Sequence, residues 1–483
     1  MPNIYLDDTI AAIATPPGES GIAIIRLSGP ESVAIAGKIF EARSGNVSDF
    51  DSHTIHYGRI RNEDGKTVDQ VYLSLFRSPK SYTGQDVVEI SSHGGLVVSR
   101  VILNRLIQSG ARHAEPGEFT KRAFLNGKID LVQAEAVIDL IKARSEKSAE
   151  IALHQLGGAL GAKFQSLKNE ILKMMAHIEA FLDFPEEHLE VYSDKEFAQK
   201  FDQIQAEIHK LLAGFERGSL LREGVCVVLA GRPNVGKSSL FNALLERDRA
   251  LVSEHPGTTR DTLEEAIELE GLYLRLIDTA GITDTQNPVE RLGIERTQQF
   301  LKQAQLILYI ADSSAAFELQ DHTILEQVRQ SGKPFLICLN KWDLVPKDVI
   351  LSEAKDLARF SAKQPFRAGL WPQNDAEAKA DVLRLSAKTR EGFEALEKKI
   401  VEKILAVTPA AESEQITRLR HKNALDECGR ALDLAKKSFR ERQSLEFMAA
   451  DLKAALDSVR ELVGEIYSED LLDVIFSEFC IGK

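Results

Sequence analysis

The run Gly231-Arg232-Pro233-Asn234-Val235-Gly236-Lys237-Ser238 sets glycines, a lysine and a hydroxyl in the order G-x-x-x-x-G-K-S. Glycines let successive backbone N–H groups wrap phosphate oxygens, and a following helix adds positive potential at its N-terminus. In that chemistry Lys237 reaches the β- and γ-phosphates and the Ser238 hydroxyl ligates Mg2+. Asn234, Val235, Gly236 and Ser239 complete the expected contact set. Further along, Asp278-Thr279-Ala280-Gly281 supplies an acid behind the magnesium and a glycine N–H for the γ-phosphate. Asn340-Lys341-Trp342-Asp343 then offers a carboxylate, Asp343, that accepts from both the ring N–H and the exocyclic amine of guanine. Adenine has no such pair, and leaving the acid unpaired costs about 1–3 kcal/mol. The Lys341 stem can lie along the base, and Ser386-Ala387-Lys388 can close the base pocket with backbone N–H groups. Four motifs in this order predict GTP binding and hydrolysis.

The hydrolytic machinery departs from the Ras pattern, in which a glutamine after Asp-x-x-Gly orients the attacking water. Here Ile282-Thr283 stands in that place and cannot do so. Glu290 is the candidate water-orienting group; the competing reading is a solvated carboxylate at a helix start. The segment Ser253-Glu254-His255-Pro256-Gly257-Thr258-Thr259 offers Thr259 to magnesium and several carbonyls nearby. With the Asn234 amide, these carbonyls can hold a monovalent cation where other GTPases place an arginine finger. Arg260 is the alternative candidate for that finger, but it directly follows the magnesium threonine, which favours a structural role for it.

These loops need a strand before each motif and a helix after the first. Val225 to Ala230 reads as a buried strand, Ser239 to Leu245 as a helix, and Leu272 to Ile277 and Phe335 to Leu339 as further strands. Residues 223–406 are therefore expected to form a doubly wound, mainly parallel, Ras-like P-loop domain. Residues 1–125 mix short strands, such as Ile22 to Ile25 and Val71 to Leu75, with turns and a helix over Val98 to Ile107, and predict an α+β domain. Residues 126–222 and 407–483 are helical, with apolar stripes Ala134/Val137/Ile138/Ile141, Leu167/Ile171/Met174/Ile178 and Leu445/Met448/Leu452/Leu456/Val459/Val463. One helical domain interrupted by the inserted α/β domain is the economical reading, with two separate helical segments as the alternative. The stretch 346–381 lacks a clear period and is assigned no role.

The 483 residues allow roughly three domains. A net charge of -13 opposes a protein that grips nucleic acid with its whole surface, though not one with a local basic patch. Cys226, Cys338, Cys428 and Cys480 are scattered without metal-ligand spacing, and the first two sit in apolar runs as reduced core residues. Asp7-Asp8 and Pro16-Pro17 disqualify the N-terminus as a signal peptide, and no stretch is long enough to span a bilayer. A cytoplasmic protein with no membrane association is expected.

Together with Ser81-Tyr82-Thr83-Gly84-Gln85-Asp86, Ser92-His93-Gly94-Gly95, Glu115-Pro116-Gly117-Glu118-Phe119-Thr120, Ala123-Phe124-Leu125-Asn126-Gly127-Lys128 and the terminal Cys480-Ile481-Gly482-Lys483, the chain resembles the MnmE (TrmE) family of tRNA modification GTPases nearly throughout. The resemblance implies an N-terminal domain that dimerises and binds a tetrahydrofolate derivative, in its 5-formyl or 5,10-methylene form, through Arg26, Glu89, Lys128 and Lys483. It implies potassium held by Asn234, Ser253, His255 and Thr258, and it places Glu290 at the family's catalytic glutamate. It further implies a homodimer that joins an FAD-dependent partner, MnmG, in a heterotetramer. That assembly would install a carboxymethylaminomethyl or aminomethyl group at carbon 5 of the wobble uridine of certain tRNAs. Gln85 departs from a glutamate common in the family. Cys480 stays open between an incidental exposed thiol and a functional one. The alternative functions are a ribosome-assembly GTPase acting as a binding switch, against which the N-terminal signature speaks, and a folate-binding regulatory scaffold.

Overall fold

The computed structural model of the chain describes residues 7–183, 194–247, 264–278, 300–345, 382–406 and 415–483. They divide into two compact units. One comprises the described residues of Met1–Ile141, Ala152–Gln205 and Ala424–Lys483, the other those of Lys142–Ile151 and Ala206–Asn423.

In the first unit seven strands, β1 (Ile10–Ile13), β2 (Ser20–Ser28), β3 (Phe40–Ala42), β4 (Thr54–Arg61), β5 (Thr67–Phe76), β6 (Val87–Gly94) and β7 (Arg112–His113), form a sheet ordered β3-β4-β5-β6-β2-β1-β7. Alternation decides its faces: Ala23, Ile25 and Leu27 of β2 and Val71, Leu73 and Leu75 of β5 are buried, while Tyr72 between them is exposed. The buried face is covered by helices α1 (Ser32–Ile39) and α2 (Leu96–Gln108), which contribute Ile35, Ile39, Ile102 and Leu106 to its core. The opposite face keeps Arg26 of β2 directly across from Glu89 of β6.

The chain then passes through α3 (Glu118–Leu125), α4 (Leu131–Lys142), α5 (Glu146–Leu156), α6 (Ala159–Asp183), α7 (Asp194–Ala213) and α8 (Phe215–Glu223). The predicted stripe of α4 is buried at Ala134, Val137 and Ile138, but Ile141 is 46% exposed. The helix ends at Lys142, and Leu472, Ile475 and Phe476 share a core only with its earlier turns. Leu167, Ile171, Met174 and Ile178 of α6 are all buried, as their spacing predicts.

The second unit holds the sheet that carries the nucleotide motifs. Strands β8 (Val225–Ala230), β9 (Glu264–Leu269), β10 (Leu272–Asp278), β11 (Leu306–Asp312), β12 (Phe335–Asn340) and β13 (Val382–Arg384) are ordered β13-β12-β11-β8-β10-β9. All neighbours pair in parallel except the edge strand β9, which is antiparallel to β10. β8 is buried along its whole length, which explains why its sequence is continuously apolar rather than alternating. Helices α9 (Lys237–Arg247), α10 (Leu319–Gln330) and α11 (Phe393–Ala406) are the connections described around it.

The remaining helices are α12 (Leu419–Arg440), α13 (Leu445–Val463) and α14 (Glu469–Ser477). Met448, Leu452, Leu456 and Val459 of α13 are buried, and α13 packs along α6. Cys226, Cys338 and Cys428 are buried, whereas Cys480 is exposed. Burial alone pushes the Cys338 and Cys428 thiols up to about 12, so both stay protonated.

Candidate functional site

The described residues of the nucleotide motifs lie at or just beyond the C-terminal ends of parallel strands, where an open α/β sheet leaves its crevice. The chain leaves β8 at Gly231, where a Cβ would fall 2.3 Å from the Ile310 carbonyl oxygen. Asn234 and Gly236 then take positive φ values of 65° and 94°. A Cβ at Gly236 would meet the Asn340 amide nitrogen at 2.2 Å, so the second glycine of the motif makes room for a neighbouring motif as well as for a ligand. Lys237 is buried and donates to the carbonyls of Gly231 at 2.7 Å and Arg232 at 2.9 Å. Burial lowers its ammonium pKa, and the charge of Asp278 works against that shift. The Ser238 hydroxyl donates to Asp278 Oδ2 at 2.8 Å, converging a hydroxyl and a carboxylate as hard-oxygen donors suited to Mg2+. Ser239 is exposed one position further along the helix.

Asn340 is the hinge-pin of the base-reading loops. Its side chain donates to the Val235 carbonyl at 2.9 Å and accepts from the Ala387 N–H at 2.9 Å, so it ties the phosphate loop to the Ser386-Ala387-Lys388 loop. Lys341, at φ 63°, donates to the Asn234 carbonyl at 2.8 Å and to Asp312 at 2.6 Å. Burial raises the Asp312 carboxyl, but hydrogen bonds from Lys341 and Ser314 outweigh it and hold the group below its ordinary value. The Trp342 N–H donates to the Leu385 carbonyl at 3.1 Å, and the Arg384 guanidinium sits 4.6 Å from the centre of the Trp342 ring. Asp343 is exposed in the short turn Trp342–Leu344, Ser386 is buried and Lys388 is exposed. Asp312 and Arg384 were not among the sequence candidates; an acid ending the apolar run Leu306 to Ala311 was the only signal for the first.

Thr279, Ala280 and Gly281, the segment Ser253, Glu254, His255, Pro256, Gly257, Thr258 and Thr259, the glutamate Glu290 and the stretch 346–381 lie outside the described residues.

A second cluster forms on the open face of the N-terminal sheet. Arg26 donates to Glu89 at 2.7 Å and to the Gly482 carbonyl at 3.1 Å, with its guanidinium 5.6 Å from the centre of the Phe119 ring. The C-terminus is docked beside them: the Phe119 N–H donates to the Lys483 carbonyl at 3.2 Å, and Pro116 and Ile481 form a β-bridge. Burial lowers the Lys483 ammonium pKa, nearby Arg26 adds to that shift and Glu89 opposes it. Tyr82 joins the group, its hydroxyl 2.9 Å from that of Thr120; burial raises its pKa, while the Thr120 bond and the charge of Arg26 pull it down. Thus Arg26, Glu89 and Lys483 meet. Lys128 is exposed and donates to the Pro79 carbonyl at 3.0 Å. Tyr82 and Phe119 were missed as site residues although they lie inside the segments that carry the family likeness. Cys480 is exposed in the docked terminus, and its carbonyl is 3.5 Å from the Gly117 N–H.

The phosphate loop, the paired hydroxyl and acid, and the asparagine-tied base loops on this sheet define a P-loop GTPase. A family model described as the MnmE helical domain matches residues 131–480, and one described as the N-terminus of GTP-binding protein TrmE matches residues 9–128. The tRNA modification GTPase MnmE of Moorella thermoacetica is 44% identical over 482 residues, covering 99% of this chain and 100% of its own. That of Carboxydothermus hydrogenoformans is 40% identical over 481 residues, again covering 99% and 100%. The chain belongs to the MnmE family of tRNA modification GTPases. Among solved structures, the G domain of the T. maritima FeoB iron transporter matches 37% of this chain and 98% of its own at 26% identity, with a TM-score of 0.24. The protein is a GTPase of tRNA modification. No helix among the described residues is long and apolar enough to cross a membrane.

Proposed function

We propose that this chain is a potassium-activated GTPase that works in the cytoplasm with the FAD-dependent MnmG. Together they add a carboxymethylaminomethyl or aminomethyl group at carbon 5 of the wobble uridine of certain tRNAs. The chain acts as a homodimer within a heterotetramer. The observation that carries the folate half of this reading is the meeting of Arg26, Glu89 and Lys483, which sequence places far apart. A carboxylate with a guanidinium beside it and a terminal lysine offers what a reduced folate needs. Glu89 accepts from the pterin amine and ring N–H, Arg26 orients Glu89, and Lys128 and Lys483 attract the tail carboxylates. The 5-formyl or 5,10-methylene form supplies the one-carbon unit.

In the GTPase domain the guanine is read by Asp343, and Asn340 and Ala387 hold the surrounding loops. The triphosphate is gripped by the N–H groups of 234–239 and by Lys237, and 253–259 and 279–281 supply further contacts to the nucleotide. Mg2+ would be held by Ser238 and Thr259 with Asp278 behind, and K+ by Asn234, Ser253, His255 and Thr258; both supply positive charge to the phosphate oxygens. Glu290 orients the water whose oxygen bonds to the γ-phosphorus as the bond to the β,γ-bridging oxygen breaks, releasing GDP and phosphate. Hydrolysis is expected to run at least tenfold faster in KCl than in NaCl, since a well-placed cation stands in for a finger worth about 10³–10⁵ in rate. Glu290→Ala is expected to abolish that turnover with GTP affinity nearly intact. Equal rates in the two salts would remove the cation from the mechanism, and unchanged turnover would return Glu290 to a structural role.

The whole reading is tested by mass spectrometry of tRNA nucleosides from cells lacking the protein. Loss of the wobble uridine modification, restored by the parent chain and not by Glu89→Ala, is the expected result. Intact modification would favour the ribosome-assembly switch.

A further inference from the structure

Arg232 lies inside the phosphate loop, and its side chain meets the start of α10. Its Nη1 donates to Glu318 at 2.8 Å, and its Nε lies 3.0 Å from Asp321 Oδ2. Asp321 is 2% exposed, and its Oδ2 also accepts from the Glu318 N–H at 2.9 Å, closing the first turn of the helix. Arg232 Nε, beside Oδ2, makes no hydrogen bond there, and the other oxygen, Oδ1, has no hydrogen-bond partner among the described residues, so Arg232 meets this carboxylate as an ion pair. The helix start is itself fixed from the sheet. Tyr309, buried on β11 opposite Ala230 of β8, donates its hydroxyl to the Asp321 carbonyl at 3.1 Å.

The peptide carbonyl of the same Arg232 accepts from Lys237 Nζ, and Pro233 restricts the backbone of Arg232 before it. Side chain and carbonyl of one residue thus join the start of α10 to the lysine that serves the phosphates. We infer that Arg232 is a positioning residue for GTP. Clamped by Asp321 and Glu318, it holds the carbonyls of 231 and 232 where they park Lys237, so that the loop is preformed before nucleotide arrives. Pre-organisation of this kind lowers the cost of binding and leaves the chemical step largely alone.

The inference rests on the assignment of 231–238 as the phosphate loop, so Lys237→Ala is measured beside the Arg232 variants in the full chain. Steady-state GTP hydrolysis should give Arg232→Ala a KM raised about tenfold, the scale of one charge-assisted hydrogen bond. Its kcat should stay within about threefold of the parent. Arg232→Lys should recover part of the loss, because a point charge can still reach one carboxylate. Asp321→Asn should reproduce part of the KM effect, because the Glu318 bond survives it, and add almost nothing to Arg232→Ala, in which the whole clamp is already gone. A parental KM in Arg232→Ala beside a crippled Lys237→Ala would overturn the inference alone, as would fully additive effects in the double variant. A parental KM in Lys237→Ala would overturn the loop assignment and the inference with it. A kcat loss in Arg232→Ala at unchanged KM would likewise overturn it.

Discussion

Asn340→Ala is expected to weaken both GTP and GDP binding by about 100-fold, a loss readable with a fluorescent guanine nucleotide. Asn340 is 1% exposed, and both ends of its amide are engaged, the nitrogen donating to the Val235 carbonyl and the oxygen accepting from the Ala387 N–H. Alanine would leave a buried acceptor and a donor without partners, at about 1–3 kcal/mol each. The space under the amide is already committed, because only glycine at 236 fits against it. Relaxation of the phosphate loop would therefore carry the base-reading loop with it. Turnover at saturating GTP should fall much less than affinity, since neither partner of Asn340 is placed at the γ-phosphate. Asn340→Asp should be no rescue: it keeps an acceptor for Ala387 but sets an oxygen against the Val235 carbonyl. GDP affinity within threefold of the parent would mean that the loops hold their positions without this tie.

Arg122→Met is expected to destabilise the N-terminal unit by about 3 kcal/mol, near the lower end for breaking a buried ion pair. Arg122 is 1% exposed and donates to the Asp8 carbonyl at 2.8 Å, Gln85 at 3.1 Å and Glu118 at 2.9 Å, as well as to the Asp8 carboxylate. Arg112 stays on Glu118 and Asp8, which keeps the cost from rising further. By hydrogen exchange, amides of β1 and β2 should open about 100-fold more readily at pH 7, while β8 and β11 exchange as in the parent. The same network carries an acid signature. Burial raises the Glu118 carboxyl, but bonds from Arg112, the Glu115 N–H and Arg122 outweigh it and hold it below its ordinary 4.5. A lowered folded-state value makes this stability complete above pH 4.5 and drains it as the pH falls through the folded value. Arg122→Met should flatten that slope. Parental exchange in β1 and β2 would show that Arg112 alone suffices.

Much of this was legible along the chain. Continuous apolar runs marked the parallel strands because those strands are covered on both faces, and the stripes of α6 and α13 marked helices that pack on each other. Ile141 fails the same rule because periodicity reports a face, not how far a neighbour extends along it. Gln85 illustrates what identity alone leaves unsaid. Its side-chain oxygen accepts from Ser28 at 3.0 Å and from Arg122 at 3.1 Å, so a neutral amide serves the buried arginine there.

The sequence by itself determined the phosphate loop, its hydroxyl and the order of the guanine motifs. Their chemistry depends on short-range backbone shape, and glycine at positive φ is a local requirement. Only the tertiary structure decided that Glu89 faces Arg26, that Lys483 returns to them, and that Asn340 and Arg232 tie the phosphate loop to distant segments. Such contacts join residues from remote parts of the chain, and a carboxylate or amide bears no local mark of the partner that burial will assign to it.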